Sequence, residues 1–228
     1  MNTKTLIAIA AILSLFLIAC QPREQTPSQE IPEKTGQEQS VTPQPIETEN
    51  EPTTSFVADG TYTLDPTQST LSYSAARITG SSHTGTVALS FGEFTLAGET
   101  AHGTFTIDMT QITESKNNTR FLTHLASEDF FAVAQHPTST FTITEAEKTN
   151  TAEYLITGNL TIIGNTKEIT FPAQLSLENN SLLARANFTI DRTRWNITYD
   201  SGSIFSEIGD RAIKDNIGYA LDLVFTKN

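Results

Sequence analysis

Apolar and polar residues alternate with a period of two through most of the chain after residue 59. Leu71 and Tyr73 alternate with serines, and Phe105, Ile107 and Met109 alternate with polar residues. Because successive side chains of a strand point to opposite faces, this pattern predicts strands with one buried face. About eight such segments follow one another without intervening long helices. This arrangement predicts an all-β fold, either an antiparallel up-and-down barrel or a sandwich.

Two local features modify the strand pattern. In the strand from Val87 to Leu96 the apolar phase shifts by one residue at Gly92-Glu93, which predicts a β-bulge at that pair. Apolar residues in the range Asn118 to Ala126 have helical spacing instead, and a shorter piece near Ile204 to Ile208 is similar. We therefore expect one or two short helices beside the strands.

The first 58 residues have a different character. Lys4, an apolar segment from Leu6 to Ile18, and Ala19 before Cys20 form the pattern of a secretory signal. The segment is shorter than the roughly 20 residues that span a bilayer. The stretch from Gln21 to Ala58 holds six of the nine prolines and few large apolar residues, so we predict a disordered tether. The predicted organisation is a signal at 1–19, a tether at 20–58 and a barrel domain at 59–228.

Composition and charge argue against several classes of function. The net charge of −12 disfavours binding to nucleic acid. No catalytic serine motif, phosphate-binding loop or dinucleotide fingerprint occurs, and the histidines lack the spacing of metal ligands. We therefore predict no metal, no cofactor and no catalytic residue. His124 with Asp129 is the one local acid–base pair on which an enzymatic alternative would depend.

The sequence around the predicted cleavage point resembles the bacterial lipoprotein signal, here as Leu17-Ile18-Ala19-Cys20. The resemblance implies a diacylglyceryl group on the Cys20 thiol and an acylated amino terminus, and two or three acyl chains make a stable membrane anchor. It also implies a location in the cell envelope. Gln21 after the cysteine favours the outer membrane, on its periplasmic side, in a host that has one.

Several motifs of the predicted barrel are similar to the YceI-like domain family. The similar segments are Tyr62-Thr-Leu-Asp-Pro-Thr-Gln-Ser69, the stretch from Phe121 to Phe131 ending in Asp-Phe-Phe, His136-Pro-Thr-Ser-Thr-Phe141, Thr157-Gly-Asn-Leu-Thr-Ile-Ile-Gly-Asn-Thr-Lys-Glu-Ile169 and Ile190-Asp-Arg-Thr-Arg-Trp-Asn196. The resemblance covers the whole predicted domain. It implies an extended, lipocalin-like antiparallel barrel whose tunnel binds a long polyisoprenoid, such as a quinone or a prenyl phenol, without catalysis.

The ligand-binding residues that we predict are the inward, aromatic-rich set of this barrel. They are Phe91, Phe94, Phe105, Ile107, Phe130, Phe131, Phe141, Leu160, Phe171, Phe188 and Trp195. Strand pattern alone leaves two interiors open, because a barrel of about eight strands either fills with side chains or holds one elongated ligand. The alternatives to lipid binding are therefore a filled-core structural or stress-response lipoprotein and a small-molecule hydrolase or isomerase on the same barrel.

Overall fold

The computed structural model describes residues 57–98, 100–178 and 181–228. The predicted signal, Cys20 and residues 21–56 of the predicted tether lie outside these ranges. Of the predicted tether, Val57 packs on the barrel core, and the Ala58 carbonyl accepts a hydrogen bond of 2.5 Å from the Tyr62 hydroxyl. Within the described residues, no helix has the length and apolarity that a membrane span requires.

The described residues form nine strands, one α-helix and two 3₁₀ turns. The strands are β1 (Gly60–Leu64), β2 (Thr70–Ala76), β3 (Ser82–Ala97), β4 (Thr100–Ile112), β5 (Thr138–Lys148), β6 (Glu153–Ile162), β7 (Asn165–Glu178), β8 (Ser181–Asp191) and β9 (Asn216–Lys227). Helix α1 covers Thr119–Leu125, and the 3₁₀ turns cover Arg192–Trp195 and Ser206–Arg211. The Asn118 side chain accepts from the Phe121 N–H at the start of α1, so the predicted helix is confirmed.

The sheet closes on itself through antiparallel pairs. The order around the barrel is β2-β9-β8-β7-β6-β5-β4-β3, and β3 pairs again with β2. β1 shares the position of β2, because it also pairs with both β3 and β9. The barrel therefore has eight strand positions. This confirms the predicted antiparallel barrel and excludes the sandwich.

The two ends of the barrel carry different connections. The hairpin end holds the short β3–β4, β5–β6 and β7–β8 connections and both ends of the described chain. The helix end holds the β2–β3 and β6–β7 turns and two long connections, one containing α1 and the other containing both 3₁₀ turns. The irregular structure of the domain is therefore concentrated at the helix end.

The interruption between β1 and β2 is built by a short polar segment. The Asp65 carboxylate accepts from the Thr67 N–H at 2.9 Å and from its hydroxyl at 2.6 Å, and these bonds lower the pKa of Asp65. Pro66 has no N–H to donate to a neighbouring strand. The Ser69 hydroxyl then accepts from the Val224 N–H at 3.0 Å, so the broken strand stays bonded to β9.

The predicted phase slip in β3 exists, but it lies earlier than Gly92-Glu93. The partner of Leu89 is Ile107, whereas the partner of Phe91 is Thr106, so β3 has one extra residue at this point. Gly92 is buried and takes the inward position that follows the bulge. The predicted site of the bulge was therefore wrong by about two residues, because a glycine at an inward position resembles an interruption of the pattern.

Gly158 in β6 occupies an inward position between two lining residues. A Cβ atom at this residue would lie 2.5 Å from Cζ of Phe141 and 2.5 Å from the Thr142 carbonyl oxygen. Both distances are well below van der Waals contact. The Phe141 ring therefore lies directly against the β6 backbone, which is possible only because residue 158 has no side chain.

We expect Gly158→Ala to destabilise the domain by about 1–3 kcal/mol, because the Phe141 ring and the β5 backbone must shift to admit the methyl group. The neighbouring Asn159→Ala is the control, since Asn159 is exposed, and it should stay within about 0.5 kcal/mol of the parent. Urea unfolding of the three proteins measures the difference. Equal stability of the two variants would contradict the close packing at residue 158.

Candidate functional site

The barrel encloses a cavity of about 290 Å³, here called the lumen. One water needs only roughly 10–15 Å³ of such volume, so the side chains of the barrel do not fill its interior. The lining comes from β2 to β9 and from α1, and most of it is aliphatic or aromatic. The filled-core interpretation of the sequence is therefore wrong.

The structure brings nine of the eleven predicted residues together around the lumen. They are Phe94, Phe105, Ile107, Phe130, Phe131, Phe141, Leu160, Phe171 and Phe188. Seven of these residues lie on strands and point inward by simple alternation. Phe130 and Phe131 instead follow α1 and line the lumen near the helix end. Whether these side chains bind a ligand stays a prediction.

Phe91 and Trp195 do not line the lumen. The bulge in β3 turns Phe91 outward, where it is 47% exposed. Trp195 is fully buried, but it lies in a 3₁₀ turn and its indole N–H donates to the Leu160 carbonyl at 3.0 Å. Its side chain therefore belongs to the buried core beside the lumen without lining the cavity. The expected position of both side chains in the lumen was wrong, because strand alternation does not hold where the backbone departs from a regular strand.

Aromatic rings form a continuous strip around part of the wall. The centroid distances are 6.5 Å between Phe105 and Phe141, 5.6 Å between Phe141 and Phe171, 4.2 Å between Phe171 and Phe188, and 5.7 Å between Phe188 and Tyr219. These distances lie within or near the range of favourable aromatic pairs. The strip presents one long apolar surface that runs from β4 to β9, with rings on five of these six strands.

The strip includes a part of the wall where β7 and β8 lack a regular ladder. Their ladder covers 173–178 and 181–186, so the halves of both strands nearer the helix end are not bonded to each other. Phe171 and Phe188 lie in these halves, and their rings stack at an interplanar angle of 13°. Side-chain packing therefore replaces main-chain hydrogen bonds at this part of the wall.

Two tyrosines that the sequence analysis missed also line the lumen. Tyr73 and Tyr219 are direct partners on β2 and β9, and burial raises the pKa of each to about 12. The Tyr73 hydroxyl donates to the Thr113 carbonyl at 2.8 Å, whereas the Tyr219 hydroxyl makes no hydrogen bond with any residue that the structure describes. Alternation with Leu221 on β9 was a signal that could have identified Tyr219.

The lumen opens at the helix end. The lining there includes Arg77, His83 and His124, whose side chains are 40%, 33% and 38% exposed. At the hairpin end the lining includes Ala146 and Tyr154, which are buried. A ligand that enters through the helix end would pass polar groups first and apolar walls afterwards.

Glu114 anchors one side of this opening. Its carboxylate is buried and accepts from the Lys116 N–H at 2.8 Å, the Asn118 N–H at 3.0 Å and Nδ1 of His83 at 3.1 Å. These hydrogen bonds, first among them that from Asn118, hold the pKa of Glu114 below its ordinary value. The His83 ring stacks on Phe121 of α1 at 3.9 Å. Glu114 thus positions both the start of α1 and the histidine beside the lumen.

Arg192 anchors the other side. Its guanidinium is 4% exposed and pairs with Asp215 at 3.2 Å. Burial lowers the pKa of Arg192, and the charge of Asp215 opposes that shift. The same guanidinium donates to the carbonyls of Ile197, Tyr199, Ile213 and Lys214. One buried cation therefore holds the long β8–β9 connection in place.

Comparison with known proteins assigns this barrel to a family. The model of the YceI-like domain matches residues 62–225. The chain belongs to the YceI-like domain family. A UPF0312 protein of Yersinia enterocolitica is 36% identical over 91 residues, which are 37% of this chain and 47% of that relative. A UPF0312 protein of Pectobacterium carotovorum is 40% identical with the same coverage. The chain spans about half the length of the curated relatives it matches.

Solved structures share the fold of this YceI-like domain. BcnA of Burkholderia cenocepacia aligns with a TM-score of 0.60 at 18% identity, over 71% of this chain and 98% of that one. A polyisoprenoid binding domain from Saccharophagus degradans, implicated in plant cell wall breakdown, aligns with a TM-score of 0.55 at 13% identity, over 73% and 98%. At these identities the likeness concerns the architecture of the barrel.

The acid–base pair of the enzymatic alternative forms at the rim of the YceI-like barrel. Nε2 of His124 lies 2.9 Å from the Asp129 carboxylate, and the His124 ring contacts Phe130 and Tyr199 edge-on. The Asp129 side chain is 52% exposed, so the pair lies at the water-facing edge of the opening. Across residues 57–98, 100–178 and 181–228, no group of three His, Cys, Asp or Glu residues could hold a metal ion.

We expect Glu114→Gln to remove part of the acid sensitivity of this YceI-like domain. A carboxylate with a lowered folded pKa stabilises the fold above its ordinary pKa of 4.5, and that contribution is lost as pH falls through the lowered value. The parent should therefore be more stable than the variant near pH 7, and the difference should shrink in acid. Denaturant unfolding of the parent and the variant, from pH 7 into the acid range, measures this difference in stability.

Glu128→Gln is the matched control, because Glu128 is exposed in the same connection. Its stability should follow the parent at every pH. If the two Gln variants had the same pH profile, the hydrogen bonds of Glu114 would not be the source of the effect.

Proposed function

We propose that this YceI-like barrel binds a polyisoprenoid lipid of the quinone or prenyl-phenol type in its lumen. The proposal places the protein in the cell envelope, anchored through Cys20, where it stores, shields or transfers the lipid without catalysis. The observation that carries it is the continuous, almost wholly apolar lumen, which reaches the surface at the helix end. The name of the Saccharophagus degradans neighbour as a polyisoprenoid binding domain supports the same class of ligand.

The chemistry of the lining suits a long, branched hydrocarbon. Burial of apolar surface contributes roughly 25 cal/mol per Å², so an isoprenoid chain gains most of its affinity from length. The aromatic strip offers flat faces along that length, and the barrel interior has few polar groups that a hydrocarbon would leave unpaired. The Tyr219 hydroxyl is one such polar group, and it could hydrogen-bond an oxygen on the ligand.

The anchor and the tether set the range over which the barrel acts in this proposal. A coil of the length of the predicted tether spans on the order of 35 Å. A barrel held at that distance remains near the bilayer that dissolves its ligand. Anchoring therefore favours exchange with a nearby membrane over transport across the aqueous space.

Extraction of the purified full chain from its host should release a long apolar ligand that mass spectrometry identifies. Ala186→Phe should reduce the ligand content about tenfold or more. Ala186 and its cross-strand partner Ala173 both line the lumen, and both side chains are small. The phenyl ring would occupy the space that these two small residues leave open.

The control for this substitution is Ala88→Phe, which adds the same ring at an exposed position of β3. Its ligand content should equal that of the parent. Absence of any lipid in the parent, or equal loss of lipid in both variants, would contradict binding in the lumen.

We expect Cys20→Ala to move the protein from the membrane fraction of its host to the soluble fraction, because the thiol that carries the diacylglyceryl group is gone. Ser28→Ala, in the predicted tether, is the control and should leave the protein with the membranes. A Cys20→Ala variant from which the signal has been removed and that still fractionates with membranes would exclude Cys20 as the anchor.

A further inference from the structure

Large apolar side chains are exposed at a few places on the described surface. The four that are about half exposed are Ile78 at 53%, Phe91 at 47%, Ile204 at 49% and Phe205 at 48%. Phe91 lies alone on the outer wall of β3. The other three lie at the helix end, and we call them the apolar rim. A cluster of exposed apolar residues marks a surface that contacts another protein, a membrane or a ligand.

Backbone hydrogen bonds hold the apolar rim together. The Ile78 N–H donates to the Ala212 carbonyl at 3.0 Å, which fixes the β2–β3 turn on the β8–β9 connection. The next residue, Ile213, bridges to Ser201, and the Phe205 N–H donates to the Ser201 carbonyl at 2.9 Å. The three rim side chains are therefore carried by two segments that are bonded to each other, not by independent loops.

The apolar rim borders the opening of the lumen. Arg77 precedes Ile78 in the chain, and Arg77, Tyr199 and Ile213 all line the cavity. The backbone of Arg77 also forms an isolated antiparallel β-bridge with that of Ile213, so this part of the lining adjoins the segments of the rim. Residues that line the lumen are thus joined through the backbone to the segments that carry the apolar rim.

The charges beside the rim do not favour an electrostatic partner. Arg77 pairs with Asp200 at 3.5 Å, and Arg211 is accompanied by the nearby acids Glu207 and Asp210. The whole chain carries a net charge of −12, so it is repelled by anionic surfaces even though the charges beside the rim nearly balance. The rim therefore suits an uncharged apolar phase such as the hydrocarbon of a zwitterionic bilayer.

A lipid bilayer suits the apolar rim better than a second copy of the chain does. A stable protein interface covers about 800 Å² of each partner, which three side chains cannot supply. Insertion of a few apolar side chains into the acyl layer needs no such area, especially when a separate anchor keeps the protein at the membrane. The predicted lipid on Cys20 would supply that anchor.

We propose that the apolar rim inserts into the acyl layer of a bilayer and places the opening of the lumen against the membrane. A lipid could then move between bilayer and lumen without crossing water. Docking itself rests on the exposed rim, and the passage of lipid rests on the function proposed above. The barrel would stand with its helix end toward the membrane.

Two tryptophan variants of the full chain test this orientation. Phe205→Trp places an indole in the rim, and Phe91→Trp places one at an equally exposed position on the wall. Trp195, the single native tryptophan, is fully buried and contributes the same background to both. With phosphatidylcholine vesicles whose acyl chains carry bromine, we expect a blue shift and strong quenching for Phe205→Trp and neither for Phe91→Trp.

Equal quenching of the two variants, or none in Phe205→Trp, would overturn the proposal. Concentration-dependent dimers that Phe205→Ser abolishes would assign the rim to a second copy and also overturn it. Because quenching requires no ligand in the lumen, its failure is distinguishable from failure to extract a lipid.

Discussion

Hydrogen bonding closes the antiparallel sheet into a ring of eight strand positions, because β1 and β2 share the position that joins β3 to β9. The number and tilt of strands set the diameter of such a ring, independently of the side chains inside it. Inward phenylalanines therefore line the wall and leave a lumen between them. The aromatic strip and the opening at the helix end both depend on this closure.

The opening depends on a second kind of interaction. Glu114 and Arg192 are buried charges, and each is satisfied by several hydrogen bonds to the connections at the helix end. Removing a partner from such a charge is costly, so these groups restrict the connections to one arrangement. Apolar alternation thus shapes the wall, whereas buried polar groups position the connections around the opening. The lumen and its opening therefore depend on different kinds of interaction.

Alternation predicted the direction of a side chain correctly only where the backbone is a regular strand. Phe105 and Phe141 lie in regular strands as direct partners, and alternation placed both inside correctly. Phe91 has the same local pattern, but one extra residue in β3 turns it to solvent. Trp195 follows the last residue of β8 in a 3₁₀ turn that the Asp191 side chain caps. A period-two pattern carries no information about side chains beyond the end of a strand.

The sequence by itself determined the faces of the strands, the start of α1 at Asn118 and membership of the family, since these depend on short-range pattern and on motifs. Only the tertiary structure decided that the interior is hollow and that His83 meets Glu114, 31 residues away. The reason is physical. The direction of a side chain along a strand is local, whereas contacts across a closed barrel depend on the register of every pair around the ring.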